Sequence, residues 1–438
     1  MRDLIEQARR AGDAAELYWL RERTTSVAYE NWQLHRVTEE DLSSVAVRAV
    51  HEGRMGTTFG TSPEQAGLLD QARRAAALGD PPPFRFAPSA DYRSPSAYDE
   101  ATDQLTSGDL IALCEATRNA VRRVRPDVAL ILRATAATTR RVVQSTEGSD
   151  AEDLVSGVYL AFGAPIRGAG VGVVKSMSSV HPLDVPLELV AEFDEWYGWT
   201  QTSSTPKTGK YPAIFAPEAS FLYLLPLWAT LSGSAFAEGT SPLLGREGAQ
   251  ILSPQLTIHD DPGPDAGPNA RAFDDEGTPC ARRALIERGI LRGLLLDLRT
   301  AAVLGRTSTG NGLKRELFDV GTEISPNPWP IHFSVAAGTS SVAEMIRDLD
   351  EGLLVTGGLG FHSGNYRQGQ FAVQALGFHV RNGKVVGRLD RTMISCDIYR
   401  DLLDVPSLSA ERRATHASML SGGLAPYVLV GTIQVAGA

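Results

Sequence analysis

Apolar positions at helical spacing open the chain. Leu4, Ile5 and Ala8 share one face of residues 3–11, and Gly12 follows as a stop, so a short helix is expected there. From residue 15 to residue 60 the period changes to two, with β-branched and aromatic side chains around Tyr18-Trp19 and Val45-Ala46-Val47. This predicts a meander of strands broken near Asn31 and Gly53. Ser62-Pro63-Glu64-Gln65 then reads as an N-cap, a first-turn proline and a capping-box glutamine, and Gly79 as the end of a second helix. Residues 81–95 are rich in proline and aromatics and read as an extended loop packed on the surface. A third helix is expected after Ser107, with Leu110, Leu113, Cys114, Val121 and Val124 as its stripe and Pro126 as its end. Strands over 128–143 and 155–162, a glycine-rich run from Gly168 to Gly172 and a helix near 187–197 complete the first half.

Residues 201–211 are polar and turn-forming, which places a boundary between domains 1–205 and 206–438. The second half has helices near 217–232 and 341–350, the latter with Ser341 and Glu344 as a capping box and Gly352 beyond its end. Strand pairs reverse at Glu287-Arg288-Gly289 and Arg381-Asn382-Gly383, so this half reads as mostly antiparallel sheet.

Composition adds exclusions. With 438 residues, 43% hydrophobic and 21% charged, the chain is ordinary globular material with enough apolar surface for a sizeable core. A net charge of -10 opposes attraction to nucleic acid or anionic lipid, so direct nucleic-acid or membrane binding is not expected. Cys114, Cys280 and Cys396 are far apart and odd in number, which suits a reducing compartment. The charged start has no signal core, and the apolar stretch 221–229 is too short to span a bilayer, so a cytoplasmic, unexported protein is expected.

No compact nucleophile or phosphate motif is present. Gly168-Ala-Gly170-Val-Gly172 departs from a dinucleotide loop at the third glycine and reads better as a closely packed strand. A zinc peptidase helix needs two histidines a turn apart, and no two of the eight histidines are three to five residues apart. The acidic segments His259-Asp260-Asp261 and Asp274-Asp275-Glu276-Gly277 have oxygen donors for a hard cation, but the same composition builds and caps turns. Arg282, Arg283 and Arg299 are near enough in sequence to neutralise them.

Several blocks in order resemble one family. Gly239-Thr-Ser-Pro-Leu-Leu-Gly245, Phe273-Asp-Asp-Glu-Gly-Thr-Pro279, Leu285-Ile-Glu-Arg-Gly-Ile-Leu291, Leu298-Arg-Thr-Ala301 and Ser308-Thr-Gly-Asn311 together look like the serial signature of the TldD/PmbA family. Segments 47–56, 144–148 and 369–378 also resemble family blocks. The resemblance implies an α+β fold: an N-terminal α/β domain with mixed sheet and helices, and a C-terminal domain dominated by curved antiparallel sheet. It also implies a dimer enclosing a chamber for extended peptides. TldD-like members carry HExxxH on a helix, and a cysteine near the C-terminal sheet completes their zinc site. Here the corresponding helix begins Ala216-Pro-Glu-Ala-Ser-Phe-Leu222, and no cysteine lies within 360–377.

The chain therefore resembles the PmbA/TldE-like branch, with no catalytic residue, no metal ligand and no cofactor of its own expected. Zinc is expected only in a TldD-like partner, and the dimer is formed with that partner or with a second copy. The expected substrate is an extended, unfolded or ribosomally made peptide held by strand addition. Asp274, Asp275, Glu276, Arg299 and Asn311 are the residues expected to line or shape the chamber, with a loop staple behind the sheet as the alternative. Two other readings stand beside this one. The first is a self-sufficient hydrolase using scattered residues such as His259, His332 and His362; the second is a homodimeric peptide-binding protein without turnover.

Overall fold

The computed structural model describes residues 1–166, 172–263, 265, 267, 269–361, 364–415 and 422–437. The chain opens with α1 (Arg2–Arg10), and two long strands follow, β1 (Ala14–Glu30) and β2 (Gln33–His51). Asn31 and Trp32 turn between them with φ of 47° and 72°. That conformation is costly for tryptophan. The ring is held by its Nε1–H donating to the Val128 carbonyl at 2.7 Å and by the Arg122 guanidinium above it. β3 (Arg54–Gly60) follows a second tight turn at Glu52-Gly53.

The second helix, α2 (Leu68–Ala76), starts later than its signals suggest. The Ser62 hydroxyl accepts from the Glu64 amide, two residues on, and so closes a local turn instead of capping a helix. Gly67, at φ 79°, then sets the true start. After α3 (Glu100–Asp103), α4 (Ser107–Val124) is capped by Thr106 rather than Ser107, with Asp109 completing the box. β4 (Ile131–Ser145), β5 (Asp150–Pro165) and β6 (Gly172–Ser179) follow, then α5 (Leu187–Trp199). Of the glycine run, Gly172 begins β6 and the rest lies outside the described residues.

Among the described residues the first sheet runs β3-β2-β1-β4-β5-β6. Every pairing in it is antiparallel, so the mixed sheet expected of this half is not found here. Next come β7 (Ser203–Ser204), just before the expected boundary, and β8 (Gly209–Phe215), then a 3-10 turn Pro217–Ala219, α6 (Phe221–Leu231) and α7 (Gly233–Ala237). β9 (Ile258–Asp260), β10 (Arg283–Glu287), β11 (Ile290–Leu291), α8 (Leu298–Val303), β12 (Gly312–Leu313), β13 (Asn327–Pro328) and β14 (Phe333–Val335) come next. The chain ends with α9 (Val342–Arg347), β15 (Glu351–Leu359), β16 (Gln370–Arg381), β17 (Lys384–Leu389), β18 (Met393–Asp397), α10 (Ile398–Asp401), β19 (Ser407–Ala414) and β20 (Gly423–Ala436).

Most pairings in the large second sheet are antiparallel, but β14 with β20, β8 with β15 and β7 with β17 run parallel, so the mixed sheet is this one. The fold is α+β. One apolar cluster joins Leu132 and Leu160 of the first sheet, Val121 of α4 and Trp196 of α5 to Leu354, Phe378 and Tyr427 of the second. A second cluster buries α6 against the large sheet.

The β16–β17 turn shows how local chemistry sets this frame. Asn382 and Gly383 both have positive φ, the condition of a two-residue hairpin turn that matches strand twist. A Cβ on Gly383 would also lie 2.5 Å from the Arg347 carbonyl oxygen at the end of α9. Gly383→Ala should therefore lower unfolding free energy by more than about 1 kcal/mol in urea titration, through strained φ and the clash together.

Candidate functional site

Two glutamates meet one arginine where the halves join. Arg48 of β2 donates from Nε and Nη2 to both carboxylate oxygens of Glu16 on β1, at 3.0 and 2.7 Å, and from Nη1 to Glu276 at 3.0 Å. All three side chains are buried, with Phe84 and Phe86 stacked about the guanidinium. Beside them Arg141 pairs with Asp153 at 3.1 Å, Arg271 pairs with Asp275, and the Tyr92 hydroxyl donates to the Gly277 carbonyl at 2.9 Å.

The acidic turn 274–276 is a hub of backbone bonds. Asp274 accepts from the amides of Glu276 and Thr278 with one oxygen and from the Gly312 amide, at 2.8 Å, with the other. Asp275 accepts from the Lys314 amide at 2.7 Å, and Glu276 from the Leu298 amide at the start of α8, also at 2.7 Å. Asn311 is fully buried; its Nδ2 donates to Asp260 at 2.6 Å and to the Trp329 carbonyl at 2.9 Å, while its own carbonyl accepts from the Trp329 amide. These bonds fix segment 311–315 and the backbone of Trp329.

Burial tunes these acids unequally. It raises Asp274, with the neighbouring Glu276 charge adding to the effect, and it lifts Glu276 to about 7 against the pull of Arg48. Asp275 is also desolvated, but the Arg271 charge and the Lys314 amide hold it below the usual carboxylate range. Burial lifts Asp260 to about 6 despite its bonds from Asn311, Ile331 and His332, and it lowers Lys314 to about 8.

Arg315, at the end of the fixed segment, and Trp329 line one wall of a cleft of about 370 Å³. Trp228 of α6 and Trp329 face each other there with ring centroids 4.1 Å apart, Arg315 lies 4.6 Å over Trp329, and Tyr366 closes a further side. Trp228 Nε1–H donates to the Pro328 carbonyl at 3.0 Å. The buried Trp329 Nε1–H and the Tyr366 hydroxyl have no hydrogen-bond partner among the described residues. At the rim Arg367 and Glu238 pair at 2.9 Å.

Of the five residues expected at the chamber, Asp274, Asp275, Glu276 and Asn311 come together, all buried. Arg299 does not join them; it is exposed on α8. Of the arginines expected to neutralise the acidic segments, Arg282 does pair with Asp261 at 3.0 Å, whereas Glu276 and Asp275 are paired by Arg48 and Arg271. Arg48 carried no chemical signal in the sequence beyond lying in a family-like block, because its partner stands 228 positions away. Trp228, Trp329 and Tyr366 were likewise missed, as isolated aromatics in unrelated segments. His259 and His332 lie on or beside neighbouring strands, and His332 Nδ1 is bonded to the Asp261 carbonyl at 2.9 Å; His362 lies outside the described residues.

Zinc does not fit the residues present. Phe221, Leu222, Tyr223, Leu224, Leu225, Leu227 and Trp228 occupy α6, so the helix offers no imidazole or carboxylate donor. Cys396 is buried, and burial raises its thiol well above its ordinary range, which opposes the thiolate a metal needs. Among the described residues no three His, Cys, Asp or Glu side chains converge as a metal-binding group.

Comparison with known proteins bears on this geometry. Residues 208–437 match the family model of the PmbA/TldA metallopeptidase C-terminal domain, and residues 15–79 match that of the PmbA/TldA metallopeptidase domain 1. Metalloprotease PmbA of Escherichia coli O157:H7 is 31% identical over 207 residues, 45% of this chain and 41% of its own. A zinc metalloprotease TldD homolog of Saccharolobus solfataricus is 26% identical over 244 residues, 53% of each chain. The chain spans about half the length of the curated relatives it matches. In fold it is similar to TldE from Thermococcus kodakarensis, with a TM-score of 0.89 at 23% identity over 100% of both chains. It is also similar to a Thermotoga maritima protein described as a candidate modulator of a DNA gyrase, with a TM-score of 0.85 at 23% identity over 99% of both.

Two outcomes test the junction. Arg48→Ala leaves the buried Glu16 and Glu276 carboxyls without their shared partner and should destabilise the protein by about 3–5 kcal/mol in denaturant titration, while Arg299→Ala should stay within about 0.5 kcal/mol. Asp260 has a folded pKa raised above its unfolded value, so its contribution is full below about 4 and is lost as pH rises through about 6. Unfolding free energy measured from pH 4 to 7.5 should fall across that window, and Asp260→Asn should flatten the slope.

Proposed function

The chain belongs to the PmbA/TldD metallopeptidase family, and from that premise we propose that it is a non-metal, TldE-like subunit. In this reading it holds an extended, unfolded or ribosomally made peptide for a zinc-bearing TldD-like partner to cleave. The observation that carries the reading is α6: apolar and aromatic along its length, it borders a cleft where a peptidase of this family would need zinc ligands. A site of that kind can bind and orient a chain but, among the described residues, offers no metal-binding group of the kind that activates water. Asp274, Asp275, Glu276 and Asn311 would shape the chamber wall by holding segment 311–315 and Trp329. Arg299 is the one of the five that reaches solvent.

Peptide capture would combine the cleft with main-chain pairing along an exposed sheet edge. The partner is a TldD-like subunit or, without one, a second copy of this chain. The three cysteines are free, which fits action in the cytoplasm. Among the described residues no helix is long and apolar enough to cross a membrane. The acidic net charge of -10 argues against DNA as the ligand.

Zinc content and turnover test this together. Purified without a metal-binding tag, the protein should carry far less than one zinc per chain. It should bind a labelled unfolded peptide saturably without cleaving it, and it should release product only when a TldD-like partner is added. One dialysis-resistant zinc per chain with chelator-sensitive cleavage by the chain alone would overturn the proposal.

A further inference from the structure

The cleft beside α6 has a chemistry more specific than a generic peptide groove. Its walls are aromatic on three sides, from Trp228, Trp329 and Tyr366, with Leu317 beside them. The rim charges offset one another, Arg315 and Arg367 against Glu238 and Glu316, so no net charge is there to draw a phosphate or a free carboxylate. Within this apolar frame sits the unmatched donor: Trp329 is 1% exposed, and its indole N–H has no partner among the described residues. An indole nitrogen can only donate, and a buried donor left without an acceptor is costly, so the group that completes the site presents a carbonyl-type oxygen. The Tyr366 hydroxyl, also unpartnered, can donate or accept.

We propose that this cleft binds an aromatic side chain of a peptide, its ring against Trp228, Trp329 and Tyr366 and a neighbouring peptide carbonyl accepting from Trp329 Nε1. The inference rests on the peptide-holding reading above and adds its residue class. Aromatic rings suit these walls because edge-to-face and offset contacts add to simple burial. The carbonyl requirement separates a peptide from a plain hydrocarbon, and rim neutrality separates it from a nucleotide. Asn311 acts here as a positioning residue, since both of its backbone-directed bonds set where Trp329 stands.

The test uses the full chain and two fluorescent unfolded peptides that differ only in a central Phe or Ala, with affinity read by anisotropy. The Phe peptide should bind at least about tenfold tighter. Trp329→Phe keeps a ring and removes the donor, and it should erase roughly five- to tenfold of that affinity while leaving the Ala peptide nearly unchanged. Tyr366→Phe, which removes only an unpartnered hydroxyl and keeps the ring, gives a second, structurally mild variant and should weaken the Phe peptide by a smaller factor. Equal binding of both peptides, untouched by either variant, would overturn the aromatic subsite while leaving peptide binding intact. Absence of binding by either peptide, alone or with a TldD-like partner, would overturn the parent reading as well.

Discussion

The buried guanidinium of Arg48 is the constraint on which the rest of the site depends. It lies between Glu16 of its own sheet and Glu276 from the second half of the chain, screened from water by two phenylalanines. Taking three charges out of water costs free energy that their mutual attraction only partly offsets, so such a cluster is a poor source of net stability. Its geometry is demanding, however, because any shift of one half against the other leaves a buried charge unpaired. Glu276 is thereby held in one place, and its second oxygen receives the first turn of α8. The adjoining Asp274 and Asp275 receive the amides of 312 and 314, Asn311 receives Trp329, and the cleft wall follows.

The acids of this hub stay side by side through unequal protonation. Asp275 is kept ionised by Arg271 and an amide, whereas burial pushes Asp274 and Glu276 toward their neutral forms. Adjacent carboxylates in a site of low polarity repel, and a proton relieves that repulsion as a cation would. Both oxygens of Asp274 already accept N–H bonds, as does Asp275 from Lys314, so the density of carboxylates is explained by turn and strand capping.

Across the cleft from that wall lies α6. The family's members are named metalloproteases, and the fold is close to that of a solved TldE. Fold alone does not assign chemistry; the side chains at the site do. Here they are tryptophan, tyrosine and leucine, groups whose chemistry is apolar contact and hydrogen bonding. Along α6 the side chains that border the cleft are apolar and aromatic.

Local features were readable from the sequence because their causes act within a few residues. Asn31, Gly53, Arg288-Gly289 and Asn382-Gly383 turn where expected, since positive φ is a property of the turn residues themselves. Ser341 and Glu344 form their capping box three residues apart, and α6 declares its lack of ligands in its own letters. Errors came where two local options were close in energy, as at Ser62, where a two-residue turn displaced a cap, and at Thr106, one position before the expected Ser107. Charge pairing and cavity walls obey no such short rule. Which arginine neutralises Glu276, and which three aromatics face one cleft, depends on strand order and on how the two sheets pack. Only the tertiary structure sets those, because electrostatic and packing energies depend on distance in space and are indifferent to separation along the chain.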